Sequence, residues 1–291
     1  MNLETLDADR VEEVLERHGA LAITYSDAAD DPVLEPLPGE TPLWRDSCVT
    51  GLFAADADVA ALTLDLRQSL HRPVLPPYRV ESLDDRAWER EWLNDFKPMR
   101  FGQRLWVFPV DAADTTESDE AIIIRLDPGL AFGTGTHATT ALCLERLDGL
   151  PLTGTQVLDY GCGSGILAIG ALLLGAAHTT GYDIDPQAVT ATMNNARQNR
   201  VDNRLSVTLE RSELDASYDV VVANILAKPL IELAGEIGAR VKDGGTLILS
   251  GILEGQAETV AGAYADRFDF DRATIRDGWA CLSGTRRPAT R

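Results

Sequence analysis

Lysine is almost missing from this chain: Lys97, Lys228 and Lys242 are the only ones in 291 residues, and the remaining basic charge is arginine. With 26 basic against 46 acidic side chains, the formal net charge is −20. Nucleic-acid binding depends on Lys and Arg neutralising phosphates, so that balance disfavours a general nucleic-acid-binding role. An acidic surface favours a cationic partner and also serves solubility. The lysine shortage is equally consistent with genome composition or a salty habitat and carries no mechanistic weight. No run of about 18 apolar residues occurs, so no membrane span is expected. The opening Met1-Asn2-Leu3-Glu4-Thr5-Leu6-Asp7 lacks the basic flank and apolar stretch of a signal peptide. Cys48, Cys143, Cys162 and Cys281 are scattered without CxxC spacing, which argues against both a zinc site and a disulfide framework. No metal is expected, and the setting is expected to be reducing and cytoplasmic.

What is present suffices for two domains, since domains average about 100–200 residues. The hydrophobic share of 45% can fill a core. In the first part, residues 7–18 read as a helix with Val11, Val14 and Leu15 on one face, stopped by Gly19. Strands are expected at 20–25, 47–54 and 78–83, and a second helix at 56–70. The order α-β-β-α-β is that of a ferredoxin-like β-α-β-β-α-β unit without its first strand. Residues 1–6 look too short and too polar to supply it. Residues 84–96 read as a charged helix carrying Trp88 and Trp92 one turn apart, a pair that packs one domain on its neighbour or grips a partner. Residues 96–109 look like a hairpin and 110–120 like an acidic surface loop.

The stretch that organises the remainder is Gln156-Val157-Leu158-Asp159-Tyr160-Gly161-Cys162-Gly163-Ser164-Gly165-Ile166-Leu167-Ala168-Ile169, an apolar strand that runs through three alternating glycines into an apolar helix. Glycines at a strand-to-helix turn tolerate positive φ and let a ligand approach the main chain. The spacing is G-x-G-x-G, not the G-x-G-x-x-G of dinucleotide sites, and no Walker Lys-Ser/Thr follows. Asp159 adds a carboxylate just before the turn. Asp183 ends the next strand about 20 residues on, where a carboxylate can accept hydrogen bonds from a ribose diol. Two carboxylates suit a cationic, phosphate-free nucleoside, and S-adenosylmethionine is such a ligand. Cys162 lies in the turn without an evident base and reads as a small structural residue.

From Thr155 onward strands and helices alternate, as a mostly parallel, doubly wound α/β sheet requires. Strands are expected at 156–160, 178–183, 205–209, 219–223 and 246–250, and helices at 186–199 and 226–237. Residues 267–274 and 279–285 would close the sheet with an antiparallel hairpin. Ligands of such sheets bind beyond the carboxyl ends of the strands. The turn, Asp183, Asn224 and the loop Phe132-Gly133-Thr134-Gly135-Thr136-His137 with Thr140 all fall there. Phe132 could stack on a base, Thr140 could bond from the helix start, and Asn224 could hold an amine by its N–H groups. Asp183 and Asn224 could instead cap the helices that follow them, and His137 reads as a capping residue more readily than as a base.

The blocks Trp88-Glu89-Arg90-Glu91-Trp92, Leu126 through His137, Asp159 through Gly165, Asp183-Ile184-Asp185-Pro186 and Ala223-Asn224-Ile225-Leu226 together resemble the bacterial family of ribosomal protein L11 methyltransferases. The resemblance runs from about Leu34 to near the end. It implies a ferredoxin-like substrate-recognition domain, placed over 1–83, and a connector helix and hairpin over 84–109; the family's additional first strand is where this chain departs from the pattern. It further implies a Rossmann-like catalytic domain over 110–291. It implies methylation of amines, at lysine side chains and the α-amino terminus of L11, with S-adenosylmethionine as cofactor. Thr140, Gly161, Asp183 and Asn224 carry over as cofactor contacts; Phe132 and Gly163 are added on the physical grounds above. Asn224 is the expected catalytic residue, holding the amine. L11 is expected free, before ribosome assembly, and the enzyme monomeric, with no nucleic acid and no membrane as partner. Other readings stay open. A small-molecule or nucleic-acid methyltransferase is one, though Asn224 lacks a Pro-Pro-aromatic sequel. An NAD-dependent oxidoreductase is another, disfavoured by the glycine spacing, and a cofactor-binding assembly factor without activity is a third.

Overall fold

The computed structural model describes residues 1–3, 6–27, 47–82, 98–110, 112, 120–126 and 137–288. The chain divides into two compact units, Met1–Arg86 and Ala87–Arg291.

In the first unit, α1 (Ala8–Arg17) begins where the Asp7 carboxylate accepts the amide of Arg10, and it buries Val11, Val14 and Leu15. Strands β1 (Ala22–Asp27) and β2 (Ser47–Leu52) pair antiparallel from Ala22↔Leu52 to Asp27↔Ser47. Helix α2 (Val59–Ser69) is capped by Asp58. The two helices are tied together at Asp65 of α2, which accepts from Arg17 and Ser69 and bonds His18. Two expectations are corrected. Residues 1–3 do lie against the sheet: the amide of Leu3 donates to Ser47 O at 2.8 Å, that of Val49 to Met1 O at 2.8 Å, and Asn2 bridges Cys48 antiparallel. Three residues are too few to show a strand period, so sequence alone could not reveal this pairing. Conversely, residues 78–82 form no strand. Pro76-Pro77 removes two amide donors just upstream, and Tyr78 and Val80 stand 46% and 60% exposed. Residues 83–97, and with them the expected connector helix and its Trp88 and Trp92, lie outside the described residues.

The second unit starts with a hairpin, β3 (Met99–Phe101) and β4 (Leu105–Pro109), to which β5 (Ile122–Leu126) adds in parallel. The hairpin turn grips the end of α3 (Ala138–Asp148). Buried Asp148 accepts from the amides of Gln103 (2.6 Å) and Arg104 (3.1 Å) and from Arg104 Nε (3.0 Å). Phe101, Leu105 and Val107 join the core formed by α3 and by α4 (Ile166–Leu173).

The main sheet runs in the order β11-β13-β10-β9-β6-β7-β8, with β12 also paired to β13. Its parallel body is β8 (Leu205–Thr208), β7 (His178–Tyr182), β6 (Gln156–Tyr160), β9 (Tyr218–Asn224) and β10 (Val241–Leu253). Strands β11 (Phe268–Phe270), β12 (Thr274–Arg276) and β13 (Trp279–Arg286) close one edge antiparallel, as expected for a hairpin there. This is a Rossmann-like sheet, and it is covered on both faces, which is why its strands read as nearly continuous apolar runs. Val157, Val220, Val222 and Ile248 face α3 and α4; Leu158, Val221, Leu247 and Leu249 face α6 (Ala227–Glu232), α7 (Ala234–Ala239) and α8 (Ala257–Tyr264). Helix α5 (Pro186–Gln198) follows β7. The single helix expected over 226–237 is two: Leu233, at φ −98° and ψ 10°, leaves the helical region and the weak helix former Gly235 follows. No helix among the described residues is long and apolar enough to cross a membrane.

Asp148→Ala would strip three donors of their acceptor and leave Arg104 without its carboxylate. The expected loss is about 2–4 kcal/mol of stability, measured by urea unfolding; an unchanged midpoint would show that the hairpin holds without this clamp.

Candidate functional site

The site forms where β6 ends. Its last residue, Tyr160, leads into Gly161 (φ 83°), Gly163 (φ 53°) and Gly165 (φ 78°), and Gly165 sits at the N-cap of α4. L-residues with side chains rarely adopt that left-handed region, so the turn requires glycine. The turn is fastened to the neighbouring strand. Gly161 and Cys162 donate their amides to Tyr182 O at 2.7 and 3.0 Å, and Gly163 donates to Asp183 Oδ2 at 2.9 Å.

Asp183 is therefore no helix cap. The cap of α5 is Asp185, which accepts from Gln187, while Asp183 Oδ1 accepts the amide of Asp185 at 3.1 Å. Half-buried at the tip of β7, the Asp183 carboxylate is held by two amides and retains lone pairs for further donors.

Asp159 does what the glycine at the N-cap cannot. From one position before the strand's end its Oδ2 accepts the amide of Ala168, in the first turn of α4, at 3.0 Å. Its Oδ1 is buried and has no partner among the described residues. The residue is 1% exposed, and burial pushes its carboxyl up from 3.8 to about 7, opposed by the Ala168 bond and reinforced by the negative Asp183. Burial also pushes the Cys162 thiol well up, with Asp159 adding to the effect, which leaves that cysteine protonated and unsuited to attack. The charge of Asp159 is visible in the sequence; its capping role is not, because it needs the folded proximity of strand and helix.

Across the strand ends, Asn224 at the tip of β9 donates from Nδ2 to Thr140 Oγ1 at 3.3 Å. Asn224 is not a cap either: the N-cap of α6 is Leu226, without a side-chain bond. The residue after Asn224 locks this tip in place. A Cβ at Gly161 would come within 2.4 Å of Ile225 Cγ2, and one at Gly251 would come within 2.4 Å of the Ile225 carbonyl oxygen. Gly251 occupies an irregularity in β10 between Leu249 and Ile252, and this lets the two backbones approach. His137 takes the capping role open to it: Nδ1 bonds the Thr139 amide and hydroxyl, and the ring meets Trp279 edge-on at 4.6 Å. Phe132, with residues 127–136, lies outside the described residues.

Gly161, Gly163, Asp183, Thr140 and Asn224 are thus gathered at the carboxyl ends of β6, β7 and β9. Their chemistry fits S-adenosylmethionine. The buried Asp159 Oδ1 is an unpartnered oxygen beside the turn, and Asp183 keeps lone pairs that suit a diol. No phosphate-binding lysine is present at the turn. Among the described residues no group of three or more His, Cys, Asp or Glu could hold a metal.

Asp159 also predicts a pH dependence. Between its ordinary value of 3.8 and about 7 the folded chain holds a proton that the unfolded chain has released. The protonated carboxyl is therefore fully accommodated below about pH 4, and the fold loses stability on this account as pH rises toward 7. Thermal melts of the ligand-free protein at pH 5 to 8 should show a larger fall for the unsubstituted chain than for Asp159→Asn; equal falls would mean that Asp159 is already ionised at pH 5.

The comparisons agree with this geometry. The family model described as ribosomal protein L11 methyltransferase (PrmA) matches residues 1–287. A ribosomal protein L11 methyltransferase of Methylococcus capsulatus is 50% identical over 287 residues, covering 97% of each chain. One of Ectopseudomonas mendocina is 52% identical over 281 residues, covering 96% of this chain and 95% of its own. The crystal structure of a ribosomal protein L11 methylase from Lactobacillus delbrueckii subsp. bulgaricus superimposes with a TM-score of 0.62 at 31% identity, over 66% of this chain and all of that one. The chain belongs to the ribosomal protein L11 methyltransferase family.

Proposed function

We propose that this protein methylates amines of ribosomal protein L11, at lysine side chains and the N-terminal α-amine, and that the strand-end cluster around Asn224 is where transfer occurs. S-adenosylmethionine is the methyl donor. When bound, it supplies a methyl group already activated on a sulfonium, so the protein's task is to align an amine with it and exclude water.

The residues divide that task. The Gly161–Gly165 turn lets the main chain come close to the cofactor, Asp183 accepts hydrogen bonds from the ribose diol, and Phe132 and Thr140 complete the cofactor contacts. Asn224 spends an Nδ2 hydrogen on Thr140, which leaves its Oδ1 as the acceptor for an amine N–H. That bond turns the amine lone pair toward the methyl group. The observation that carries this assignment is the Asn224–Thr140 bond, set beside the Asp183–Gly163 tie at the same end of the sheet. An α-amine, with a pKa near 8, needs little help to lose its proton, whereas a lysine near 10.4 must be desolvated first. The amine gives up its proton to water.

The remaining assignments follow from the same reading. Residues 1–83 form a ferredoxin-like substrate-recognition domain, in which residues 1–3 supply the first strand position beside β2. Residues 84–109 form a connector whose hairpin packs into the catalytic core, and 110–291 are the catalytic domain. A net charge of −20 attracts a basic ribosomal protein. L11 is met free in the cytoplasm, before assembly, by a monomeric enzyme.

Transfer from S-adenosylmethionine to purified unmethylated L11, followed by intact mass, tests the proposal. Stepwise gains of one methylene are expected. Asn224→Ala should lower the rate at least ~100-fold while S-adenosylhomocysteine still binds, and undiminished turnover in that variant would remove Asn224 from the reaction.

A further inference from the structure

Helix α5 lies along the glycine turn and reaches into it with two buried polar side chains. Thr192 is fully buried and donates from Oγ1 to Gly163 O at 2.9 Å. Asn195, 3% exposed, donates from Nδ2 to Ser164 O at 2.9 Å. The carbonyl just before these, of Cys162, is taken by the amide of Gly165 at 2.7 Å. Three consecutive carbonyls of the turn are thus bonded, two of them by side chains of one helix. Thr192 also presses on the turn sterically, since a Cβ at Gly165 would meet its Cγ2 at 2.6 Å.

The helix is itself fixed at both ends. At its start, Asp185 caps it, and the neighbouring Asp183 reaches Gly163. Just past its end, Asn199 accepts the amide of Arg125 at 2.8 Å and donates to the Arg125 carbonyl at 2.6 Å, completing hydrogen bonds at the edge of β5. Residues 192, 195 and 199 follow a helical spacing and share one face. A glycine-rich turn has the greatest backbone freedom to lose, so a folded chain needs outside contacts to hold it in one shape. Apolar residues in place of Thr192 and Asn195 would pack there but would leave the turn carbonyls free to rotate.

We propose that Thr192 and Asn195 are positioning residues for cofactor binding. They set the shape of the Gly161–Gly165 turn through its carbonyls and do not touch the cofactor themselves. This rests on the cofactor site proposed above.

The test is titration calorimetry of the full chain with S-adenosylhomocysteine, paired with steady-state kinetics. Thr192→Val keeps shape and removes the hydroxyl; Thr192→Ser restores it; Asn195→Leu removes the other donor. Thr192→Val and Asn195→Leu should each weaken S-adenosylhomocysteine about five- to tenfold, and Thr192→Ser should bind like the unsubstituted chain. KM for S-adenosylmethionine should rise in step while kcat at saturation stays within about twofold. Unchanged binding in folded Thr192→Val overturns the inference. So does a fall in kcat with KM unchanged, or failure of Thr192→Val to fold, which would make the contact structural only. If Asn195→Leu fails to fold, Thr192→Val decides. Absence of binding by the unsubstituted chain would overturn the cofactor site itself, and this inference with it.

Discussion

The carbonyl of Tyr182 accepts two amides from the turn that follows the neighbouring strand, and the carboxylate of Asp183 accepts a third. These three bonds join the ends of β6 and β7, and most of the site depends on them. They hold glycines at positive φ where the chain would otherwise wander, and they fix the Asp183 carboxylate beside the turn. Because β6 pairs with β9 as well as β7, the same register also sets the position of Asn224. Ile225, closely packed on Gly161 and Gly251, transmits that placement to the tip itself.

Electrostatics gives the site a second constraint. Asp159 is buried with one oxygen unpartnered, while Asp183 adds negative potential from the next strand. A buried carboxylate is costly without a counter-charge. The fold tolerates it because the other oxygen caps a helix that begins with a glycine and has no cap of its own. A cationic ligand would relieve the cost, whereas a pyrophosphate would increase it. On this reading the carboxylates beside G-x-G-x-G favour a sulfonium nucleoside over a dinucleotide.

Much of the catalytic unit was legible because its signals are periodic or local. The short, mostly apolar segments 156–160 and 219–223, alternating with helical stretches, read as buried strands of a parallel sheet. The glycine turn and Asp183 announce themselves by spacing. What was not legible depends on contacts between distant segments. The pairing of Met1–Leu3 with β2 is too short to show a pattern. The alternation at 78–82 imitates a strand, but its apolar residues find no sheet to cover. The break at Leu233 interrupts a helix whose apolar spacing continues on both sides. Thr192 and Asn195 are polar residues in a helix and carry no sequence signal of their role; only the folded chain shows that they point inward to carbonyls 29 and 31 positions away.

We propose that the cofactor lies across the β6 turn with its reactive end at Asn224. In a crystal structure of the full chain with S-adenosylhomocysteine, both ribose hydroxyls should then lie within hydrogen-bond distance of the Asp183 carboxylate and the sulfur on the side of the turn facing Asn224 and Thr140. A ligand seated elsewhere, or with its ribose away from Asp183, would overturn this placement.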